Sequence, residues 1–215
     1  TVLFWPSLWH HPIENFVSSI ISFKNYDHEV FNYYLGEFVF SHSNYWHYIP
    51  VWILISSPLL IVFLFIYGFL LNIKRILFRL IRINKRTNLN DLWRGNNEFL
   101  DLLFLSIVFL PVFLTIIFNS TLYSGWRHLY FIYPFIVLIS LNSLRIIYLK
   151  LNLLKFHKIN KILSTIISFF ILFNVFWLYQ SHPFQNNYFN FLAGKSPHKN
   201  FDVDYWGLSN KFVLE

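Results

Sequence analysis

Arg127 and His128 are the first residues whose side chains could do chemistry. They are adjacent in the stretch Tyr123-Ser124-Gly125-Trp126-Arg127-His128, and Arg127 is the only basic residue of its loop. A guanidinium offers paired N–H donors that match a phosphate bidentately, and the imidazole beside it can add a further bond. The plain alternative is an arginine that anchors a membrane helix at the interface. A second group is Tyr34-Leu35-Gly36-Glu37, followed by Ser43-Asn44-Tyr45-Trp46-His47-Tyr48-Ile49-Pro50. Ring faces, hydroxyls and a carboxylate suit a sugar, which stacks on rings and hydrogen-bonds at its edges. An aromatic belt at a membrane surface needs the same residues. The tail carries a third group, His182-Pro183-Phe184-Gln185-Asn186-Asn187-Tyr188-Phe189-Asn190 and then Asp202-Val203-Asp204-Tyr205-Trp206-Gly207, where Asp204 beside two rings could hold a ligand hydroxyl or the whole could pack as a cap. Metal chemistry has no support: His42 and His47, even with His10, His11 or His28, match no zinc spacing. The absence of cysteine removes thiolate ligands and nucleophiles. Asp27 and Glu29 make no acid–base pair, because side chains two apart on a helix diverge.

The elements that must position these groups are membrane helices. Of 215 residues, 56% are hydrophobic and 13% charged, against about 25% charged in an ordinary soluble domain. Uncharged runs of 26, 25 and 20 residues follow His47, Asp101 and Lys161, and a spanning helix needs about 20 apolar residues. A fourth run, Leu129–Leu149, qualifies if Arg145 reaches the interface near its end. The expected spans are Ile49–Ile73, Phe99–Phe118, Leu129–Leu149 and Ile162–Ser181, with Pro58, Pro111 and Pro134 inside them.

Charge gives the topology. Seven basic residues lie in Lys74–Arg94 and five in Arg145–Lys161, together 12 of the 17 in the chain. Both segments flank spans, so the positive-inside rule places them in the cytoplasm and both chain ends outside. The charge of +7 is thereby assigned to topology and anionic lipid head groups rather than to nucleic acid. Ile13, Phe16, Ile20 and Phe23 recur at helical spacing and predict an interfacial amphipathic helix over Glu14–Lys24. The reading is an all-α polytopic membrane protein in three parts: an extracytoplasmic segment 1–47 with the interfacial helix, a four-span domain 48–181, and an extracytoplasmic tail 182–215. The chain holds no methionine, even at position 1, which we read as the C-terminal part of a longer polypeptide.

These motifs together resemble glycosyltransferase family 39 and its relatives, polytopic enzymes of the GT-C fold that include protein O-mannosyltransferases and the lipid A aminoarabinose transferase. The resemblance rests on Tyr34-x-Gly36, on Trp46-x-Tyr48-x-Pro50 opening a helix, and on Ser57-Pro58 within it. It rests also on Gly125-Trp126-Arg127-His128 leading to Pro134, and on the tail HPFQNNYFNFLAGKSPHKNFDVDYWGLS, where Lys195 replaces the second glycine of a pair. It covers most of the chain. It implies inverting transfer of a sugar from a polyprenyl-phosphate donor to an acceptor on the extracytoplasmic side of a bacterial inner membrane. The donor is the only cofactor-like molecule implied. The family's carboxylate base belongs to the first outer loop of an N-terminal half, and no residue here matches it, so no catalytic residue is assigned and Glu37 is not given that role. This part would supply lipid-phosphate contacts, Arg127 first and His128 next. Tyr34, Glu37, Trp46, His47, Tyr48, Asp204, Tyr205 and Trp206 are the substrate or lid candidates. The partners are the bilayer, the donor lipid, and the N-terminal half or a partner chain. The alternative is a non-enzymatic membrane subunit packed in a larger complex.

Overall fold

The computed structural model describes residues 6–24, 30–81, 93, 95–204, 207 and 210. A helix α1 (Pro12–Lys24) is followed by a hairpin of β1 (Phe31–Tyr34) and β2 (Glu37–Phe40). Then come α2 (Tyr48–Ser56), α3 (Leu59–Ile81), α4 (Gly95–Ile117), α5 (Tyr133–Leu153) and α6 (His157–Gln180). A 3-10 turn, Arg127–Ile132, runs directly into α5. Four stretches are long and apolar enough to cross a membrane: Leu59–Ile81, Gly95–Ile117, Arg127–Leu153 and His157–Gln180. The chain is thus a mostly helical integral membrane protein.

The first expected span is not one helix. Ser57 sits in extended backbone, φ −106° and ψ 145°, and splits Ile49–Ile73 into the end of α2 and the start of α3. The ring of Pro58 disfavours the helical region for the residue before it, and proline has no N–H for the carbonyl of Leu54. With nine residues, α2 is about 13 Å long at ~1.5 Å per residue, too short to cross. Pro111 stays inside α4, whereas Pro134 occupies the first turn of α5, where a missing N–H costs nothing.

The core of the bundle is the seam between α3 and α5. Gly68 lets the backbones meet: a Cβ there would lie 2.1 Å from Ser143 Oγ and 3.2 Å from the Ile139 carbonyl. Ser143 turns its hydroxyl back to Ile139 O (2.7 Å). Ser140 shares its proton between Ile136 O on its own helix and Ile61 O on α3 (2.8 and 3.0 Å). At the basic end, Asp101 of α4 joins three helices, accepting from Arg75 Nη1 of α3 (3.1 Å) and from Asn142 Nδ2 of α5 (2.8 Å). Arg79 forms a two-pronged pair with Glu98 nearby. Both basic segments flank this end of the bundle.

The all-α expectation needs a correction at the opposite end, where the hairpin stands. Its register pairs Phe31 with Phe40 and Tyr34 with Glu37. The two turn residues, Leu35 (φ 53°) and Gly36 (φ 87°), are both left-handed, as a type I′ turn requires. The tail adds a third, strand-like segment on the β1 side. Tyr34 bridges Phe201, and Asp202 N–H donates to Tyr33 O (3.0 Å) while Asp202 Oδ2 accepts from Tyr33 N–H (3.1 Å). The helix α1 forms as the spacing predicts, with Ile13, Phe16, Val17 and Ile21 all exposed. The side chains of Ile20 and Phe23 lie outside the described residues.

Candidate functional site

The hairpin end gathers the sequence's candidates into two groups. The first centres on Tyr34, which is fully buried and packs its ring against Tyr45, His47, Tyr48 and Phe201 at centroid distances of 5.0 to 6.1 Å. Burial pushes its phenol up to about 12, and its hydroxyl shares a hydrogen bond of 2.6 Å with His47 Nδ1. That bond fixes the plane of the imidazole, whichever of the two groups donates. The His47 ring is stacked on Tyr45 (5.2 Å, 5°) and meets Trp46 edge-on (5.4 Å). Trp46 is 69% exposed, a ring face open to a ligand or to lipid head groups. Glu37 is exposed at the start of β2, opposite Tyr34 in the register.

The second group is Arg127 and His128, and the platform between them is Tyr123, which the sequence reading passed over. The Arg127 guanidinium lies over the Tyr123 ring, 4.5 Å from its centroid, and His128 meets the same ring edge-on at 4.8 Å. Stacking occupies the face of the guanidinium, and its N–H donors lie along the edge. His128 is exposed and Arg127 half-buried.

Both groups are tied to one scaffold. Asn32, 1% exposed, donates to Leu122 O (2.7 Å) and Asn44 Oδ1 (2.9 Å), and its own Oδ1 accepts from Ser124 N–H (3.2 Å). The loop before Arg127 is thereby fastened to the hairpin. Trp126 Nε1 donates to Ser56 Oγ (2.8 Å), fastening the same loop to the end of α2. Gly125, at φ 71°, faces Trp52, whose ring a side chain's Cβ at this position would meet at 3.6 Å.

The tail supplies a residue whose role the sequence does not announce, Asn190 of the third group. Asn190 is 6% exposed. Its Nδ2 donates to Leu54 O and Ser57 O, both at 2.6 Å, and its backbone N–H donates to Ile55 O at 2.8 Å. These are carbonyls at the Pro58 break. Its Oδ1 accepts from Leu192 N–H (2.8 Å). Asp202 is half-buried, and burial raises its carboxyl above the ordinary range even though the Tyr33 N–H pulls the other way. Asp204 accepts from Gly207 through its carbonyl and donates its N–H to Asn187 Oδ1 (3.1 Å). Tyr205 and Trp206 lie outside the described residues.

Two cavities adjoin the site. A small one between the aromatic segment and the end of α4 is lined by Asn44, Tyr45, Trp46, Tyr48, Asn119 and Ser120, among others. The other is apolar, about 290 Å³, and lies among α2, α3, α4 and α5 against Leu54, Ser57, Val62, Phe65, Val112 and Ile136. Among the described residues no three His, Asp or Glu side chains converge where a metal could sit. Comparison with protein-family models, with curated proteins and with solved structures finds no match for this chain.

Proposed function

We propose that the chain is the C-terminal part of a membrane glycosyltransferase that takes its sugar from a polyprenyl-phosphate donor at the extracytoplasmic surface. The observation that carries this reading is the neighbourhood of three kinds of surface at one end of the bundle. A cation stacked on Tyr123 begins a membrane helix. Aromatic rings surround a tyrosine-oriented histidine. An apolar cavity lies between the helices below. Such a donor has a charged head, a polyhydroxyl ring and a long apolar chain, one for each surface. Arg127 is the phosphate contact, since the departing polyprenyl phosphate gains negative charge that a fixed guanidinium stabilises. His128 adds a second donor. Trp46 and His47 face the sugar or close over it, with Tyr34 holding His47 in place, while Tyr48, a substrate candidate by sequence, is buried in the core at 1% exposure and supports them from below. The catalytic carboxylate lies outside these residues.

The test is transfer of labelled sugar from a polyprenyl-phosphate donor by membranes carrying the full polypeptide. Arg127→Ala should lower turnover by about 10²-fold to 10³-fold, as loss of a transition-state donor does, with thermal stability in detergent unchanged. Unaltered turnover removes Arg127 from the site.

One observation favours a second reading, a non-enzymatic subunit. The most apolar stretch of α6 has no buried residue, and Phe169 is 70% exposed. A photo-cross-linking residue at position 169 separates the two. Lipid adducts agree with the enzyme reading, and one discrete protein adduct with the subunit.

A further inference from the structure

We propose that Ser57–Pro58 is a hinge and Asn190 its latch, so that release of the tail swings α2 away from α4 and widens the mouth of the apolar cavity, where Leu54, Ile66 and Phe109 are already exposed, until its buried floor at Val62 is reached from the bilayer. The inference stands apart from the catalytic reading, because it rests on the hydrogen bonds of Asn190, the ring contacts of α2 and the cavity lining. Pro58 leaves the carbonyl of Leu54 without its helical donor. The residue that replaces it is neither on α2 nor on a neighbouring helix: Asn190 alone supplies the three bonds to Leu54, Ile55 and Ser57. Two of the three residues so held, Leu54 and Ser57, line the apolar cavity. The latch thus grips the cavity wall itself.

The attachment of α2 points the same way. Among the described elements it packs more on the tail turn Phe191–Ala193 than on any helix. Phe189 and Phe201 of the tail flank Trp52 of α2 at 5.9 and 5.6 Å. A short helix beside a proline break, held by the tail and at its own end by the Trp126–Ser56 bond, can pivot about that end once the tail lets go. Hinges of this kind need only a few residues to absorb the backbone change. The α3 and α5 parts of the opposite wall belong to the seam locked by Gly68 and Ser140, so the motion falls on α2.

The absence of cysteine from the chain makes a single introduced thiol a clean reporter. Val62 lines the cavity and is 5% exposed, while Ile139 lies in the seam at 2%. In the bilayer-reconstituted chain, Val62→Cys should react slowly with a membrane-permeant apolar maleimide. Adding Asn190→Ala should speed that reaction by about thirtyfold, the factor equal to roughly 2 kcal/mol of lost hydrogen bonding at ~1.4 kcal/mol per tenfold. Ile139→Cys should be unaffected. Acceleration at neither position, or equal acceleration at both, overturns the proposal. Asn190→Asp provides a second variant should the alanine fail to fold. It keeps the acceptor for Leu192 N–H, loses both donors, and should give the same selective acceleration. With the tail unaltered, the opening equilibrium from Val62→Cys labelling must equal that from hydrogen exchange at the Asn190 amide, and a mismatch also overturns the latch.

Discussion

Helices α5 and α6 are consecutive, similar in length at 21 and 24 residues, and both able to cross a membrane, yet one is the centre of the molecule and the other its rim. The apolar stretch that includes α5 is 28% buried and that of α6 not at all, although α6 is the more apolar. Hydropathy therefore decides that a helix spans and says nothing about where it stands. Position follows from small residues. Ser140 and Ser143 let α5 approach Gly68 of α3 and bond across the seam, as expected where lipid offers no hydrophobic contrast between helices. Large side chains surround α6, and it is held at its two ends. Asn160 donates to Asn152 Oδ1 (2.5 Å) at the basic end. At the other, Tyr188 of the tail meets Trp177 edge-on (4.8 Å) and Gln185 donates to Leu178 O (3.1 Å).

The comparison can be broken most forcefully at Gly68. A leucine there has no room against Ser143 and the Ile139 carbonyl, and should cost about 3 kcal/mol, read as loss of the cooperative melt in detergent or of monodisperse protein. A smaller effect should come from pH, through the tail that holds the rim helix. Burial raises the Asp202 carboxyl, so the fold favours its protonated form. That contribution is complete below the ordinary carboxylate range and is lost as pH rises through the raised value. Limited proteolysis of the tail should therefore be slower at pH 4 than at pH 8, and Asp202→Asn, which keeps an acceptor for Tyr33 N–H, should flatten the dependence. An unchanged slope in that variant assigns the pH effect elsewhere. Least of all, Leu172→Ala on α6, at 67% exposure, should change the melting free energy by no more than about 0.5 kcal/mol. A larger loss would mean that α6 is packed against something.

Much of this architecture is legible in the sequence because membrane spans announce themselves by length. Three uncharged runs locate three of them, the run interrupted by Arg145 locates the fourth, and the basic segments locate one end of the bundle. The hairpin is harder to see. Its turn uses Leu35 where asparagine or aspartate normally signals a I′ turn, and its outward face carries Phe31, Tyr33, Phe38 and Phe40, so alternation of apolar and polar residues is weak. The Pro58 break is readable as a possibility, but which carbonyls it frees and what satisfies them is set by a residue over 130 positions away. The same is true of Tyr34 and His47: their types suggest a site, while the hydrogen bond between them forms only once Tyr34 is folded into the core. Tyr123 gives no local signal beyond standing four residues before Arg127, and its role appears once the loop is folded back on itself.

The Asn190 clasp also bears on how the protein is made. A chain enters the membrane from its N-terminal side, so α2 and the broken start of α3 are in place long before the residue that completes them has been synthesised. Until then the carbonyls of Leu54, Ile55 and Ser57 must be served by water or by the insertion machinery. The hairpin waits as well, because its third strand comes from Phe201 and Asp202. The end of the molecule that carries the candidate chemistry is thus the last to set, and it sets only in a chain whose four spans have all been threaded.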